Sequence, residues 1–152
     1  MTQEDKELLI KDMCSRLPYG VQILYDSDKK FNSGLICQPY GLTIYNGRTC
    51  ALAFGVVDPI EIDEFKLCLR PMSSMTDEEF IKLKEYSELK YDQLDLASFQ
   101  NGTYKCLDFY LNEVPADVVV LVFDWLNKNH FDYRGLIERG LAIEITNIVN
   151  NE

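Results

Sequence analysis

Apolar residues recur at two different spacings along the 152-residue chain, and these spacings predict where helices and strands lie. In the first twenty residues the apolar positions fit one face of a helix: Ile10, Met13, Cys14 and Leu17, with Leu9 beside them. Thr2 is a suitable N-cap, and Pro18 ends the pattern. Polar positions such as Asp12 and Arg16 are then expected to face water. The N-terminal segment is therefore predicted to be an amphipathic helix.

From residue 21 to residue 70 the spacing changes to alternation, which predicts four or five short antiparallel strands. The strongest local signal is Asn46-Gly47 between two β-prone runs, because a two-residue type I′ hairpin requires positive φ at both turn positions. Phe65, Leu67 and Leu69 alternate with polar or smaller residues and predict the last of these strands. A curled sheet and a small SH3-like barrel both remain open, since the strand order cannot be read.

The second half of the chain carries mainly helical signals. Thr76 and Glu79 have capping-box spacing, and they predict a helix of about three turns. The run 103–111 could be a strand or a lead-in to the next helix, and its aromatic residues favour a strand. From Pro115 to Leu126 the apolar character continues too long for a typical strand, so a largely buried helix is predicted despite its valines.

The C-terminal segment is predicted to form a corner, a short helix and a strand. Asp132 has the position of an N-cap for a helix over Tyr133–Arg139, and Gly140 that of the glycine after it. Leu141–Ile145 alternates and predicts a short strand. Together the patterns predict a single α+β domain over residues 1–152: an N-terminal amphipathic helix, a small antiparallel β-sheet and a helical C-terminal half ending in a short strand.

Three blocks of sequence resemble a family of small uncharacterised proteins that is frequent in Bacteroides-type gut bacteria and their phages. The C-terminal block is WLN at 125–127, followed by HFDYRGLIE at 130–138 and GLA at 140–142; the others are LPYGV at 17–21 and LRPMSSMT at 69–76. They occur in the same order as in the family and span most of the chain. The resemblance implies a protein accessory to a mobile element, and it carries over no catalytic residue.

The net charge of −10 bears on the kind of partner. Residues 73–112 and 113–152 each contribute −4, so the acidity is concentrated in the second half. Direct nucleic-acid binding is not expected, because it relies on Lys and Arg against phosphate. The charged N-terminus and the lack of a long apolar run predict a cytoplasmic protein without membrane attachment. The five cysteines are then expected to be small buried hydrophobes.

Candidate chemistry is concentrated around the single histidine, His130. Its sequence neighbours Asp124, Asp132 and Glu138 supply carboxylates of the kind that orient a catalytic imidazole. A cap role for Asp132 and an ordinary helix position for Asp124 explain the same residues without catalysis. No nucleotide, nucleophile-elbow or zinc motif is present, so no cofactor and no metal are predicted.

The sequence favours a non-enzymatic interaction or accessory protein whose partner is another protein. Tyr133 and Arg134 beside Gly135 are the candidate interaction surface, on a corner expected to be exposed. One alternative is an acidic decoy that occupies the basic nucleic-acid-binding surface of a partner. Another is a small enzyme that uses His130 with a carboxylate or a cysteine.

Overall fold

The computed structural model describes residues 1–26, 34–87, 96–101 and 115–145. The helices among them are α1 (Gln3–Arg16), α2 (Asp77–Ser87), α3 (Leu96–Gln100) and α4 (Ala116–Lys128). Two short 3₁₀ turns, Leu17–Tyr19 and Met72–Ser74, follow α1 and precede α2. The predicted strand over 103–111 lies outside the described residues.

Seven strands form two sheets within the described part of the chain. They are β1 (Gln22–Tyr25), β2 (Leu35–Cys37), β3 (Pro39–Tyr45), β4 (Arg48–Ala53), β5 (Ile60–Glu61), β6 (Phe65–Leu69) and β7 (Ala142–Glu144). One sheet has the order β2-β1-β6-β7 and the other β3-β4-β5; all neighbours are antiparallel except β6 and β7. The predicted α+β class, with an N-terminal helix and a C-terminal strand, is confirmed.

The chain divides into two compact units, each with its own hydrophobic core. The first unit is Met1–Leu69 with Gly135–Glu152, and the second is Arg70–Arg134. In the first, α1 and strands from both sheets bury a mainly aliphatic core that includes Phe65. In the second, α2, α3 and α4 bury an aromatic-rich core that includes Phe99, Trp125 and Phe131.

Helix α1 begins as predicted but packs through a different face. Thr2 Oγ1 accepts the Asp5 N–H at 3.1 Å, and the Asp5 carboxylate accepts the Thr2 N–H at 3.2 Å. The buried positions are Leu9, Asp12, Met13 and Arg16, while Cys14 is exposed. The prediction that Asp12 and Arg16 face water was wrong. Both are fully buried, and a bidentate ion pair of 2.6 and 3.1 Å joins them across one helical turn.

The second unit confirms the two helix starts that its sequence predicts. Thr76 Oγ1 accepts the Glu79 N–H at 3.2 Å and Glu79 accepts the Thr76 N–H at 3.0 Å, which completes the capping box before α2. Helix α4 begins after Pro115 and buries Trp125 and Leu126 near its C-terminal end. Its first two turns are less buried than predicted, and Val120 is 65% exposed.

The predicted helix over Tyr133–Arg139 is wrong: the segment forms successive turns. Gly135 has a φ of +73°, which breaks a right-handed helix at its third residue. Asp132 therefore caps no helix here. Gly140, with a φ of +70°, does end the last turn: its N–H bonds to Ile137 O, and the Leu141 N–H bonds to Leu136 O. That closure directs the chain into β7, whose prediction is confirmed.

Candidate functional site

His130 holds a backbone position that ends helix α4. Its φ is +58°, its N–H bonds to Asn127 O at 3.1 Å, and the next N–H, that of Phe131, bonds to Leu126 O at 3.0 Å. These two bonds form a Schellman motif, in which the left-handed residue is usually glycine. The ring of Phe131 stacks on Trp125 at 5.8 Å and supplies the apolar contact of that motif. Histidine is among the residues that tolerate this conformation best after glycine.

Two of the acidic residues near His130 in sequence, Asp132 and Asp124, take part in structural contacts. Asp132 is buried, and its N–H donates to Arg70 O at 2.7 Å while Arg70 N–H donates to His130 O at 2.9 Å. Asp124 accepts the phenolic O–H of Tyr86 at 2.7 Å. That hydrogen bond raises the pKa of Tyr86 because it favours the protonated phenol. The backbone ladder between Arg70 and the His130 segment thus gives this region a structural role.

Tyr133 lies inside the second unit, so the expectation of an exposed corner was wrong for this residue. It is 7% exposed; its hydroxyl donates to Asn127 Oδ1 at 3.1 Å, and its ring lies 5.0 Å from that of Phe123. The guanidinium of Arg134 stacks over the Tyr133 ring at 4.7 Å. A recognition role for the half-buried Arg134 stays a prediction.

Three of the described cysteines are poor candidates for nucleophilic chemistry. Cys37, Cys50 and Cys68 are buried, and burial raises the pKa of all three, that of Cys68 to about 12. A thiol with a raised pKa stays protonated at neutral pH and attacks poorly. Cys14 is exposed, contrary to prediction. Among the described residues, no three His, Cys, Asp or Glu side chains are grouped as metal ligands.

The β3–β4 hairpin has the type I′ geometry that Asn-Gly predicts. Asn46 has a φ of +50° and Gly47 of +75°, and Tyr45 pairs directly with Arg48. The register shifts between Pro39 and Gly41, so a β-bulge at Tyr40 marks the start of the regular ladder. The hairpin is therefore a well-defined platform on the first unit.

Apolar side chains project from this hairpin into solvent. The rings of Tyr40 and Phe54 lie 4.9 Å apart while remaining 57% and 63% exposed. We call these two residues the aromatic patch. Nearer the turn, Ile44 is 76% and Tyr45 54% exposed. Within residues 38–57 the only charged residue is Arg48, although 26% of the whole chain is charged. This depletion of charge is the sequence signal that could have pointed to the hairpin.

A polar groove of about 460 Å³ lies between α1 and the turn end of the hairpin. Lys6 and Gln3 line one side, and Arg48, Glu61 and Asp63 line the other. Arg48 Nη1 lies 2.7 Å from both Glu61 oxygens, and this pairing raises the pKa of Arg48. Because these two charges neutralise each other, the groove presents little net charge to a ligand.

Three comparisons, with protein-family models, with curated proteins and with solved structures, found no match for this chain. Within the described ranges, every helix is too short or too polar to cross a membrane.

Proposed function

We propose that this protein is a non-enzymatic interaction factor that binds another protein through the β3–β4 hairpin. The observation that carries the proposal is the aromatic patch, Tyr40 and Phe54, packed ring against ring yet more than half exposed. Holding two aromatic rings in water is unfavourable, at about 25 cal/mol per Å² of apolar area. A partner that covers the patch recovers this free energy.

The surroundings of the patch have the composition of an interface centre. Tyrosine and phenylalanine are enriched, and charges are depleted, in the buried centres of protein interfaces. Residues 38–57 show the same bias, with Arg48 as their one charge. Tyr40 lies at the bulge of β3 and Phe54 directly follows β4, and the Phe54 N–H donates to Gln38 O at 3.0 Å, which holds the backbone beside the patch. This hairpin replaces Tyr133 as the leading candidate surface.

The biological setting that we propose follows from the resemblance to small proteins of gut bacteria and their phages. A protein of mobile-element origin that lacks catalytic motifs fits the role of an accessory factor that modifies a host or element protein. The raised pKa values of the buried thiols and the backbone role of His130 support a non-enzymatic reading over the His130 enzyme.

The acidic-decoy alternative has less support from the arrangement of charge. Exposed carboxylates on α2, such as Glu78 and Glu85, share that helix with Lys82 and Lys84. A decoy of nucleic acid needs a regular row of negative charge, and these cations interrupt it. The two hypotheses also differ in their salt dependence, because an apolar interface is weakened little by salt while an ionic one is weakened strongly.

The test is affinity capture from a lysate of host cells at low and high salt, with identification by mass spectrometry. We compare the wild type with Tyr40→Ser/Phe54→Ser and with Ile81→Ser, an exposed apolar position on α2 that serves as a control. The expected result is a partner retained at high salt by the wild type and the control but lost by the double variant. A partner lost at high salt and indifferent to the double variant would instead support the decoy.

A further inference from the structure

We infer that strand β3 also pairs with β3 of a second copy of this chain, giving a two-fold-symmetric dimer. The pairing surface is the segment Gly41–Tyr45, which we call the β3 edge. It lies toward the turn end of the hairpin, whereas Tyr40 and Phe54 flank the opposite end. The inference therefore goes beyond the proposed function and is tested separately from it.

The backbone at the β3 edge has hydrogen-bonding capacity directed away from β4. In a two-residue hairpin the closing pair, here Tyr45 and Arg48, exchanges both hydrogen bonds. Alternation along the strand then points the N–H and C=O groups of Leu42 and Ile44 outward. Strand β3 has β4 on one side and, among the described residues, no strand on the other. An edge of this kind is a template for another strand.

A two-fold axis at Thr43 makes the edge complementary to itself. Antiparallel pairing about this axis places Leu42 opposite Ile44 of the second copy, so the outward backbone groups meet in a hydrogen-bonded pair. It also places Tyr45 opposite Gly41. A Cβ built on Gly41 would meet no atom within 4 Å, and Tyr45 is exposed. The Tyr45 ring of each copy can cover Gly41 of the other copy. An aromatic residue opposite a glycine at a strand edge is a favourable cross-strand pair.

The distribution of charge favours self-association through the β3 edge over self-association through other surfaces of the protein. Two chains of net charge −10 repel each other wherever their carboxylates approach. Residues 38–57 carry no carboxylate, and their single charge, Arg48, is paired with Glu61. The hairpin is thus where self-association meets the least repulsion. A partner selected for opposite charge would be drawn instead to the acidic second half of the sequence.

The expected dimer is reversible, because the edge is short. Five paired residues bury less area than the roughly 1,200–2,000 Å² of a stable interface. The bulge at Tyr40 ends the regular ladder on one side, and the turn at Asn46 ends it on the other. Concentration should therefore shift the equilibrium between the 17.6 kDa monomer and a species of twice that mass.

The first test measures mass against concentration by sedimentation velocity and light scattering. Ile44→Lys places a charge at the edge, and Ile81→Lys makes the same change at an exposed isoleucine on α2. We expect the wild type and Ile81→Lys to dimerise alike and Ile44→Lys to stay monomeric. A wild type that remains monomeric at all concentrations, or an Ile44→Lys variant that still dimerises, would overturn the inference.

The second test addresses the contact between Tyr45 and Gly41. Gly41→Thr adds a side chain where the monomer has open space, and Gly41 is not at a positive φ. The monomer should therefore keep its thermal stability, while the added side chain blocks the ring of the second copy. We expect dimerisation to weaken at least tenfold. Unchanged dimerisation would exclude this register.

The third test fixes the register by cross-linking. In the proposed dimer Thr43 faces Thr43 of the second copy in a non-hydrogen-bonded pair, where Cα atoms lie about 4.5 Å apart, within disulfide range. Thr43→Cys in a Cys14→Ser/Cys106→Ser background should form a covalent dimer under mild oxidation, whereas Ile81→Cys in that background should not. Equal cross-linking of both would indicate random collision and would count against the pairing.

The failures of the two proposals are distinguishable. Partner capture depends on Tyr40 and Phe54, and dimerisation depends on Gly41, Thr43 and Ile44. Loss of capture in Tyr40→Ser/Phe54→Ser with the dimer intact would support both. A monomeric wild type that still captures a partner through Phe54 would overturn the dimer alone.

Discussion

The guanidinium of Arg70 donates two hydrogen bonds, of 2.6 and 2.9 Å, to the carboxylate of Glu79. Arg70 also lies over the ring of Phe131 at 4.3 Å, and its backbone bonds to residues 130 and 132. Glu79 in turn completes the capping box of α2 with Thr76. This pair therefore connects the start of α2 to the segment that ends α4, entirely within the second unit.

Removing the Arg70 side chain should destabilise the protein. Arg70→Ala leaves a half-buried carboxylate without its bidentate partner, and hydrogen bonds to charged groups contribute about 1.5–3 kcal/mol. Thermal and urea unfolding measure the loss. Arg48→Ala serves as the control, because its ion pair with Glu61 is exposed and we expect its loss to have little effect. Equal effects of the two substitutions would contradict a special role for Arg70.

The same pair predicts a dependence of stability on pH. The hydrogen bond from Arg70 is the main reason why the pKa of Glu79 lies below its ordinary value of 4.5. A carboxyl whose pKa is lower in the folded state stabilises the fold above its unfolded pKa, and that contribution is lost as pH falls through the folded pKa. The wild type should therefore be more stable than Glu79→Gln at neutral pH. This difference in free energy of unfolding should shrink below about pH 4.5. A difference that is constant from pH 7 to pH 3 would be inconsistent with this linkage.

His130→Gly should raise stability rather than lower it. The left-handed conformation costs an L-residue about 1–2 kcal/mol, and glycine avoids most of that cost at the end of a helix. His130→Val, by contrast, should be clearly destabilising, because a β-branched residue is poorly suited to a positive φ. The order of melting temperatures, glycine above histidine above valine, checks the prediction. A glycine variant less stable than the wild type would mean that the imidazole contributes contacts of its own.

Because Asp12 and Arg16 form a buried ion pair, the losses of unfolding free energy caused by replacing each residue should not add up in the double variant. Asp12→Ala leaves a fully buried guanidinium without this carboxylate, and breaking such a pair typically costs about 3–5 kcal/mol. Replacing both residues, as in Asp12→Leu/Arg16→Met, removes the uncompensated charge and should restore most of the loss. Urea unfolding of the two single variants and the double variant measures the coupling. Additive losses would argue that each side chain is held by separate interactions.

Trp125→Ala should destabilise the second unit by about 3–5 kcal/mol, the usual cost of removing a large core aromatic side chain. Trp125 is 6% exposed and stacks on Phe131 with an angle of 14° between the rings. Val120→Ala, on an exposed position of the same helix, is the control and should change stability little. If Trp125→Ala lost only partner binding at normal stability, Trp125 would instead belong to an interface.

Local chemistry allowed several elements to be predicted without tertiary information. The caps at Thr2 and Thr76 depend on residues three positions apart, and the Asn46-Gly47 turn depends on positive φ. Gly140 was predicted to be the left-handed residue that ends its segment, and its φ of +70° agrees with that prediction. Each signal lies within a few residues of the structure that it specifies, so no distant contact is needed to read it.

Apart from the helix over Tyr133–Arg139, which the positive φ of Gly135 breaks, the predictions that were wrong required knowledge of what packs against what. The burial of Asp12 and Arg16 depends on their mutual pairing inside the core of the first unit, and spacing alone assigned them to water. Tyr133 is buried because Phe123 and Asn127 receive its ring and hydroxyl. The exposure of Val120 likewise could not be read from its apolar neighbours.

The sequence by itself determined the fold class, the N-terminal helix, the β-hairpin and the capped start of α2, because these follow from spacing and local hydrogen bonding. Only the tertiary structure decided that the strands divide between two sheets, that His130 serves as a left-handed helix end, and that the hairpin, with Arg48 as its one charge, projects aromatic residues into solvent. The physical reason is that burial is a property of the assembled core. A row of apolar residues has the same sequence pattern whether it faces that core or the solvent.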